Sequence, residues 1–176
     1  LITPDPIDVL NPTTMVTNLS SQDVTSFQYT FLDSAATVLG TSNLPSTEWT
    51  FPDAVPTFFD VELIVTNQWG CTDTAYNQVI MNGVYNFYVP SAFTPNGDGV
   101  NDIFEPRGEG VDELGYKMYI FDRWGVKLFE TTATQKGWDG SHMSTPASMD
   151  VYVWKIYTKD KYTGDEHENI GHIMLI

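Results

Sequence analysis

The chain lacks most features that mark disulfide-bonded, metal-thiolate or membrane-spanning proteins. Among its 176 residues, Cys71 is the single cysteine, which excludes an internal disulfide framework and a thiolate metal cluster. No apolar run approaches the roughly 18 to 20 residues of a membrane-spanning helix, and residues 1–6 lack the basic start of a signal peptide. We therefore expect a folded piece of a longer protein, in which Cys71 is a buried structural thiol.

Basic side chains are scarce and confined to one part of the chain. The formal net charge is −15, and all eight Lys and Arg residues lie between Arg107 and Lys161. Residues 1–82 contain nine acidic side chains and no Lys or Arg. Because nucleic acids and anionic lipids are bound through clustered Lys and Arg, both are poor partner candidates. The acidic composition fits either a salty, calcium-containing exterior or simple solubility through net charge.

Helical periodicity is nearly absent from the sequence. Short alternating runs bounded by Gly, Pro, Asn and Asp recur along its length, a pattern typical of antiparallel strands. The sequence predicts an all-β protein with two Ig-like antiparallel β-sandwich domains in tandem, residues 1–82 and 83–176. The boundary is placed near residue 83, where turn-forming residues coincide with the change in charge.

Particular hairpins can be predicted from the alternation. Residues 61–66 and 75–80 flank a turn at residues 67–70, and residues 151–158 pair with residues 170–176. A further turn follows residues 116–121, where we expect Gly125 to adopt a positive φ. Apolar or aromatic groups occur on both faces of the later strands, which predicts a sheet that is covered on both sides.

Several motifs in residues 85–176 carry a resemblance to a known family. They are Phe87-Tyr88-Val89-Pro90-Ser91-Ala92-Phe93, Thr94-Pro95-Asn96-Gly97-Asp98-Gly99-Val100-Asn101-Asp102-Ile103-Phe104-Glu105, Asp122-Arg123-Trp124-Gly125, Gly137-Trp138-Asp139-Gly140, Val151-Tyr152-Val153-Trp154-Lys155-Ile156 and Gly171-His172-Ile173-Met174-Leu175-Ile176. In this order and spacing they resemble the gliding motility-associated C-terminal domain, the type B sorting signal of the type IX secretion system. Residues 59–71 look like the last two strands of a polycystic-kidney-disease-type (PKD-type) Ig-like repeat.

The resemblance implies a targeting role and no catalysis. The second domain would take a large, adhesin-like protein across the outer membrane and leave it at the cell surface, recognised by secretion machinery that includes a β-barrel protein. Residues 170–176 are expected at a sheet edge, where main-chain groups can pair with a partner strand. The candidate recognition residues are Arg123, Trp124, Trp138, Ile170, Ile173 and Leu175. For the two tryptophans, packing in a sandwich core is the competing interpretation.

The motif at residues 94–105 aligns with a twelve-residue calcium loop. The ligand positions fall on Thr94, Asn96, Asp98, the Val100 carbonyl, Asp102 and Glu105. Gly99 stands at the bend, as calcium coordination in such loops requires. Position 1 is Thr where Asp is usual, and no flanking helices are apparent. A rigid turn, in which Asp98 and Asp102 cap backbone amides, is therefore the alternative to calcium.

Two other functional classes compete with the sorting signal. A calcium-dependent adhesive or carbohydrate-binding module, possessing exposed aromatic side chains that contact surface polysaccharide, is the alternative to a sorting signal. An enzyme is disfavoured because no Gly-x-Ser-x-Gly elbow occurs. His167 and His172 stand one residue too far apart for the zinc-protease helix motif, and acidic pairs such as Asp112-Glu113 lie in solvated, loop-like stretches.

Overall fold

The computed structural model describes residues 1–52 and 55–176. Strands make up 56% of the chain and helix 2%, which confirms the prediction of an all-β protein. The chain divides into two compact units, Leu1–Val84 and Tyr85–Ile176. We call these the first and second units.

The first unit is an Ig-like sandwich of mainly antiparallel strands, in which β2 pairs with β8 in parallel. Over its described residues the strands are β1 (Ile2–Thr3), β2 (Ile7–Asp8), β3 (Thr13–Thr17), β4 (Val24–Leu32), β5 (Val38–Ser42), β6 (Ser46–Thr50), β7 (Thr57–Asn67) and β8 (Thr72–Asn82). One sheet has the order β1-β3-β6 and the other β2-β8-β7-β4-β5. The pair β7 and β8 is the hairpin predicted from the alternation, and Gly70 in its turn has φ 82°.

Aromatic side chains fill the space between these two sheets. Phe31 and Phe51 are buried and lie with their ring centroids 6.2 Å apart. Trp49 from β6 stacks on Phe31 from β4 at 4.1 Å, with the rings almost parallel. Large aromatic groups supply much of the apolar area that a small sandwich can bury. The alternation of β7 therefore reflects this core, because Phe59 and Val61 point into it.

Cys71 differs from expectation. The sequence predicts a buried thiol, but the side chain is exposed, immediately before β8. The turn before it is organised by Asn67, whose side-chain oxygen accepts hydrogen bonds from the Trp69 and Cys71 amides at 3.0 and 2.9 Å. The prediction of burial is wrong because Cys71 still belongs to this solvated turn and precedes the part of β8 that reaches the core.

The second unit contains one large sheet and two small ones. Its strands are β9 (Asn86–Tyr88), β10 (Ala92–Phe93), β11 (Arg107–Glu109), β12 (Lys117–Phe121), β13 (Lys127–Thr131), β14 (Ser141–His142), β15 (Thr145–Pro146), β16 (Asp150–Lys159) and β17 (Glu166–Leu175). The large sheet has the order β10-β17-β16-β12-β13, and the small sheets are β11-β9 and β14-β15. A 3-10 turn at Glu113–Gly115 precedes β12.

One face of the large sheet forms the core of the second unit. Tyr116, Met118 and Ile120 are buried there, as their alternation predicts. The hairpin of β16 and β17 is confirmed, with Tyr152 opposite Ile173 in its register. The turn between β12 and β13 contains Gly125 at φ 82°, so that prediction is confirmed too.

The opposite face of the large sheet is open, whereas the sequence predicts a sheet that is covered on both sides. It forms an open groove of about 960 Å³ whose lining includes Lys117, Tyr119, Lys155 and Tyr157. The apolar rings on this face are half-buried by neighbouring lysine chains. Lysine stems can shield apolar surface while the ammonium groups remain in water, which explains why aromatic content alone is a poor indicator of a second covering layer.

Candidate recognition site of the second unit

The outer edge of β17 offers main-chain groups for pairing. Met174 and Ile176 donate their amides to Ser91 and Phe93 carbonyls at 3.0 and 3.1 Å, on the side away from β16. Because backbone groups alternate in direction along a regular antiparallel strand, Ile170 directs its amide and carbonyl to this same side. The paired residues of β10 reach only Met174 and Leu175. Among the strands of residues 1–52 and 55–176, none pairs with this edge along the earlier part of β17.

The expectation that residues 170–176 form an open edge needs correction. Their last residues are already paired in parallel with β10. Ile173 is fully buried and Leu175 is 5% exposed, so both belong to the core. Neither side chain can contact a partner in the folded domain, because the alternation of β17 turns them inward. Ile170, which is 61% exposed, is the candidate that remains accessible.

A tryptophan partly protects this edge. Gly171 leaves space on the inner face of β17, and a Cβ atom there would lie 2.4 Å from Cζ2 of Trp154. The Trp154 Nε1 group donates a hydrogen bond to the His172 carbonyl at 3.1 Å. An edge carbonyl that is already satisfied pairs less readily with a foreign strand. Free pairing positions are thereby confined to the stretch before His172.

The second candidate surface is the turn between β12 and β13. The Asp122 carboxylate accepts hydrogen bonds from the Trp124 and Val126 amides, both at 2.8 Å. This turn holds Trp124 outward, with 84% of its surface exposed. Arg123 forms an ion pair with Asp150 at the start of β16. Trp124 is thus available to a partner, and Arg123 keeps 59% of its side chain exposed while paired with Asp150. An exposed Trp beside an Arg is a composition typical of interface hot spots.

Trp138 is not part of this surface. It is fully buried, and its indole donates to the Ser141 carbonyl at 2.8 Å. The Phe104 amide donates to the Trp138 carbonyl at 2.8 Å, and the Trp138 amide donates back at 3.0 Å. A Cβ at Gly137 would lie 2.5 Å from the Phe104 carbonyl oxygen. The recognition assignment of Trp138 is therefore wrong, and the core-packing interpretation is right for this tryptophan.

The loop at residues 94–105 is organised by its carboxylates. The two Asp102 oxygens accept hydrogen bonds from the Gly97 and Gly99 amides, each at 2.7 Å. The Asp98 Oδ1 atom accepts one from the Val100 amide at 2.8 Å. The Gly97 amide, followed by the Gly99 amide, holds the pKa of Asp102 below its usual value. Such caps are the arrangement expected of a rigid turn.

Calcium fits this geometry less well than the turn does. A cation would have to share Asp102 oxygens that already face amide hydrogens, and Glu105 lies 3.2 Å from the Arg107 guanidinium. Asn96 donates its side-chain amide to Asp98 at 3.0 Å. Across residues 1–52 and 55–176, no group of three or more His, Cys, Asp or Glu side chains comes together as a metal site. The calcium assignment to Thr94, Asn96, Asp98, Val100, Asp102 and Glu105 stays a prediction.

Two features of the second unit were not predicted from the sequence. The pairing of Trp154 with Gly171 carries no local signal, because the two residues meet only through the register of β16 and β17. Met143 and Met149 are 87% and 77% exposed. Their exposure can be expected from the polar, Ser-rich sequence at residues 139–150.

Several solved structures match the chain at low sequence identity. The structural matches include the BSP domain of a biofilm-associated protein (11% identity, TM-score 0.38, 97% of this chain and 28% of that chain). Others are fibronectin(III)-like modules of Clostridium thermocellum CbhA (10%, 0.33, 100% and 93%) and dimeric latent PorU from Porphyromonas gingivalis (14%, 0.33, 99% and 19%). No curated protein matches the chain.

In the described residues, no helix has the length and apolar character needed to cross a membrane.

The family comparison concerns the second unit. The family model of the CHU_C type IX secretion signal domain matches residues 87–175. This range includes the whole large sheet, the Trp124 turn and the loop at residues 94–105. The match spans half of the 176 residues. The chain therefore belongs to the CHU_C type IX secretion signal domain family.

Proposed function

We propose that the second unit is the sorting signal of a large, adhesin-like secreted protein. The observation that carries this proposal is the family match over residues 87–175, which covers nearly all of Tyr85–Ile176. In this role the domain acts by being recognised and performs no catalysis. Its partners are outer-membrane components of the type IX secretion system, among them a β-barrel protein, and its cargo stays at the cell surface.

Recognition uses two parts of the second unit. The first is the free edge of β17 before His172, where a partner strand can pair with the outward-facing main chain of Ile170. The second is the turn at Asp122, which supports the exposed Trp124 and the adjacent Arg123. Main-chain pairing supplies affinity without much sequence preference, so the Trp124 turn supplies specificity.

Export of a reporter tests the proposal. Residues 83–176 are fused to the C-terminus of an inert, periplasm-directed reporter in a cell that has the type IX system. We expect the reporter to become accessible to protease added outside the cell. The control carries residues 1–82 in the same position and should remain in the periplasm. Retention of both fusions at equal levels would reject the sorting function.

Removal of the terminal strand gives a second comparison. Deleting residues 170–176 removes two core side chains, Ile173 and Leu175, so we expect it to abolish both folding and export. The milder change Trp124→Ala should leave the domain folded, because the side chain is exposed. A strong loss of export by Trp124→Ala together with an unchanged circular dichroism spectrum would separate recognition from folding.

The same experiment distinguishes the alternative function. A calcium-dependent adhesive or carbohydrate-binding module would bind its ligand in solution, but it would not carry a fused reporter across the outer membrane. Export that depends on the secretion machinery therefore favours the sorting signal. Ligand binding without export would favour the adhesive module.

A further inference from the structure

The outward face of the large sheet in the second unit concentrates positive charge in an acidic protein. The groove on this face is lined by Lys117, Lys127, Lys155 and Lys159, with Glu166 and Glu168 as its acidic members. Four of the eight basic residues thus lie on one surface, while the whole chain carries a formal charge of −15. Local charge of the opposite sign to the whole protein favours an anionic ligand at that place.

Aromatic rings lie between these lysines. Tyr119 stands opposite Lys155, and Lys117 stands opposite Tyr157, so lysine and tyrosine alternate across β12 and β16. The Tyr119 and Tyr157 ring centroids are 6.4 Å apart at 87°. Phe121 extends the row at 6.3 Å from Tyr119. The result is a continuous row of half-exposed rings with ammonium groups beside it.

Each tyrosine of this row has a lysine near its ring. The Lys127 Nζ atom lies 5.6 Å from the Tyr119 centroid, and that of Lys155 lies 5.0 Å from the Tyr157 centroid. These are distances at which a cation and a ring attract each other. The same contacts place an ammonium group over each of these rings, so an anionic substituent of a ligand can reach it while the apolar part of the ligand contacts the rest of the row.

Only part of the positive charge is neutralised internally. Lys155 lies 2.8 Å from Glu168, and this hydrogen bond, followed by the interaction with Tyr157, raises the pKa of Lys155 to about 12. Lys127 pairs with Glu130. Lys117 and Lys159 have no salt-bridge partner within residues 1–52 and 55–176. These two lysines are free to bind an external anion.

We propose that this lysine–aromatic face binds an anionic polysaccharide that carries carboxylate groups. The apolar CH face of a sugar ring can stack on Tyr119 or Tyr157, and its carboxylates can meet the adjacent lysines. An acidic peptide is the less suitable ligand, because Asp and Glu side chains bring carboxylates but no flat apolar ring face to stack on Tyr119 and Tyr157. The basic side chains lining this groove are His167 and four lysines, and an ammonium group can donate hydrogen bonds to an anion from several directions.

The proposal is tested by binding to defined polymers. The purified 176-residue chain is titrated calorimetrically with polygalacturonate, with neutral dextran and with poly-L-glutamate, each at low and high salt. We expect binding to polygalacturonate that weakens with salt, and much weaker binding to the other two polymers. Absence of polygalacturonate binding would overturn the proposal. Equal binding of poly-L-glutamate would overturn it as well, since the face would then be a site for acidic polypeptide.

Matched variants locate the binding to this face. The double variant Lys117→Gln with Lys159→Gln should weaken polygalacturonate binding by about tenfold, as loss of two charge contacts predicts. The control is Lys136→Gln with Lys161→Gln, which removes two exposed lysines outside the groove and the same net charge. A control that weakens binding as much as the test pair would overturn the assignment to this face.

A ring variant separates sugar stacking from charge. Tyr157→Leu keeps an apolar side chain but removes the flat ring, so we expect about fivefold weaker binding at the same salt dependence. Melting curves confirm that each variant is folded before titration. Unchanged affinity in folded Tyr157→Leu would overturn the polysaccharide proposal. These measurements use no secretion machinery, so their outcome is independent of export.

Discussion

Trp154 and Gly171 fit against each other across the paired strands β16 and β17. The register places them directly opposite, and the indole occupies the space that any side chain at position 171 would need. In this position the Trp154 Nε1 group donates a hydrogen bond to the His172 carbonyl. A glycine in a strand interior is usually a weakness, but here it permits a contact that closes part of the sheet edge.

Substitution of Gly171 should therefore destabilise the second unit. We expect Gly171→Val to lower the free energy of unfolding by roughly 1–3 kcal/mol through overpacking, measured by urea denaturation. The combination of Gly171→Val with Trp154→Leu should be less destabilised than the sum of the two single changes, because the smaller side chain vacates the space. Strict additivity in this double-mutant cycle would show that the two residues do not compete for it.

The two tryptophans of the family motifs should respond differently to truncation. Trp138→Leu removes much of a fully buried side chain that packs 5.0 Å from the Tyr152 ring, and we expect a loss of about 2–4 kcal/mol. Trp124→Leu, at an exposed position, should change stability by less than about 0.5 kcal/mol. The free energies of unfolding of both variants are measured by chemical denaturation. Equal losses would contradict the assignment of Trp138 to the core.

The free edge of β17 can be blocked without disturbing its pairing to β16. Ile170→Pro removes an amide that faces away from β16, whereas Asn169→Pro removes one that faces β16. We expect the first variant to remain folded but to export a reporter less well. The second should unfold the domain. Thermal melting and surface accessibility of the reporter are measured together, and normal export by folded Ile170→Pro would exclude edge pairing as the mode of recognition.

The turn at Asp102 predicts a particular response to acid. Hydrogen bonds from Gly97 and then Gly99 lower the Asp102 pKa from 3.8 in the folded protein. A lowered folded-state pKa stabilises the protein above the unfolded value, and this stabilisation is lost as pH falls through 3.8 towards the folded pKa. The Tm difference between the parent and Asp102→Asn should therefore shrink below that pH. A difference that stays constant into strong acid would contradict the argument.

The calcium prediction for residues 94–105 has a separate test. If calcium binds with a Kd on the order of 10⁻⁴ to 10⁻³ M, as in extracellular modules, millimolar calcium should raise the Tm by about 1–5 °C. A chelator should reverse the rise, and Asp98→Ala should abolish it. The control Asp112→Ala removes an acidic side chain outside the loop and should respond as the parent does. Identical melting curves with and without calcium would contradict the calcium prediction and leave the rigid turn as the interpretation of this loop.

The sequence determined the fold class and the main hairpins. Alternation with period two places Tyr116, Met118 and Ile120 on one face, and that face is the core. Gly125 and Gly70 mark turns because few other residues adopt positive φ readily. These are local signals, in which each residue's chemistry and its neighbours along the chain are sufficient.

The tertiary structure decided which of the candidate residues face solvent. Trp124 and Trp138 occur in similar local settings, each beside a charged residue and a glycine, yet one is 84% exposed and the other fully buried. The difference arises because Trp138 bridges to Phe104, 34 positions earlier in the chain. Likewise, only pairing with Ala92–Phe93 closes the end of β17. Contacts between distant segments set burial, and burial decides whether a side chain supports the fold or is available to a partner.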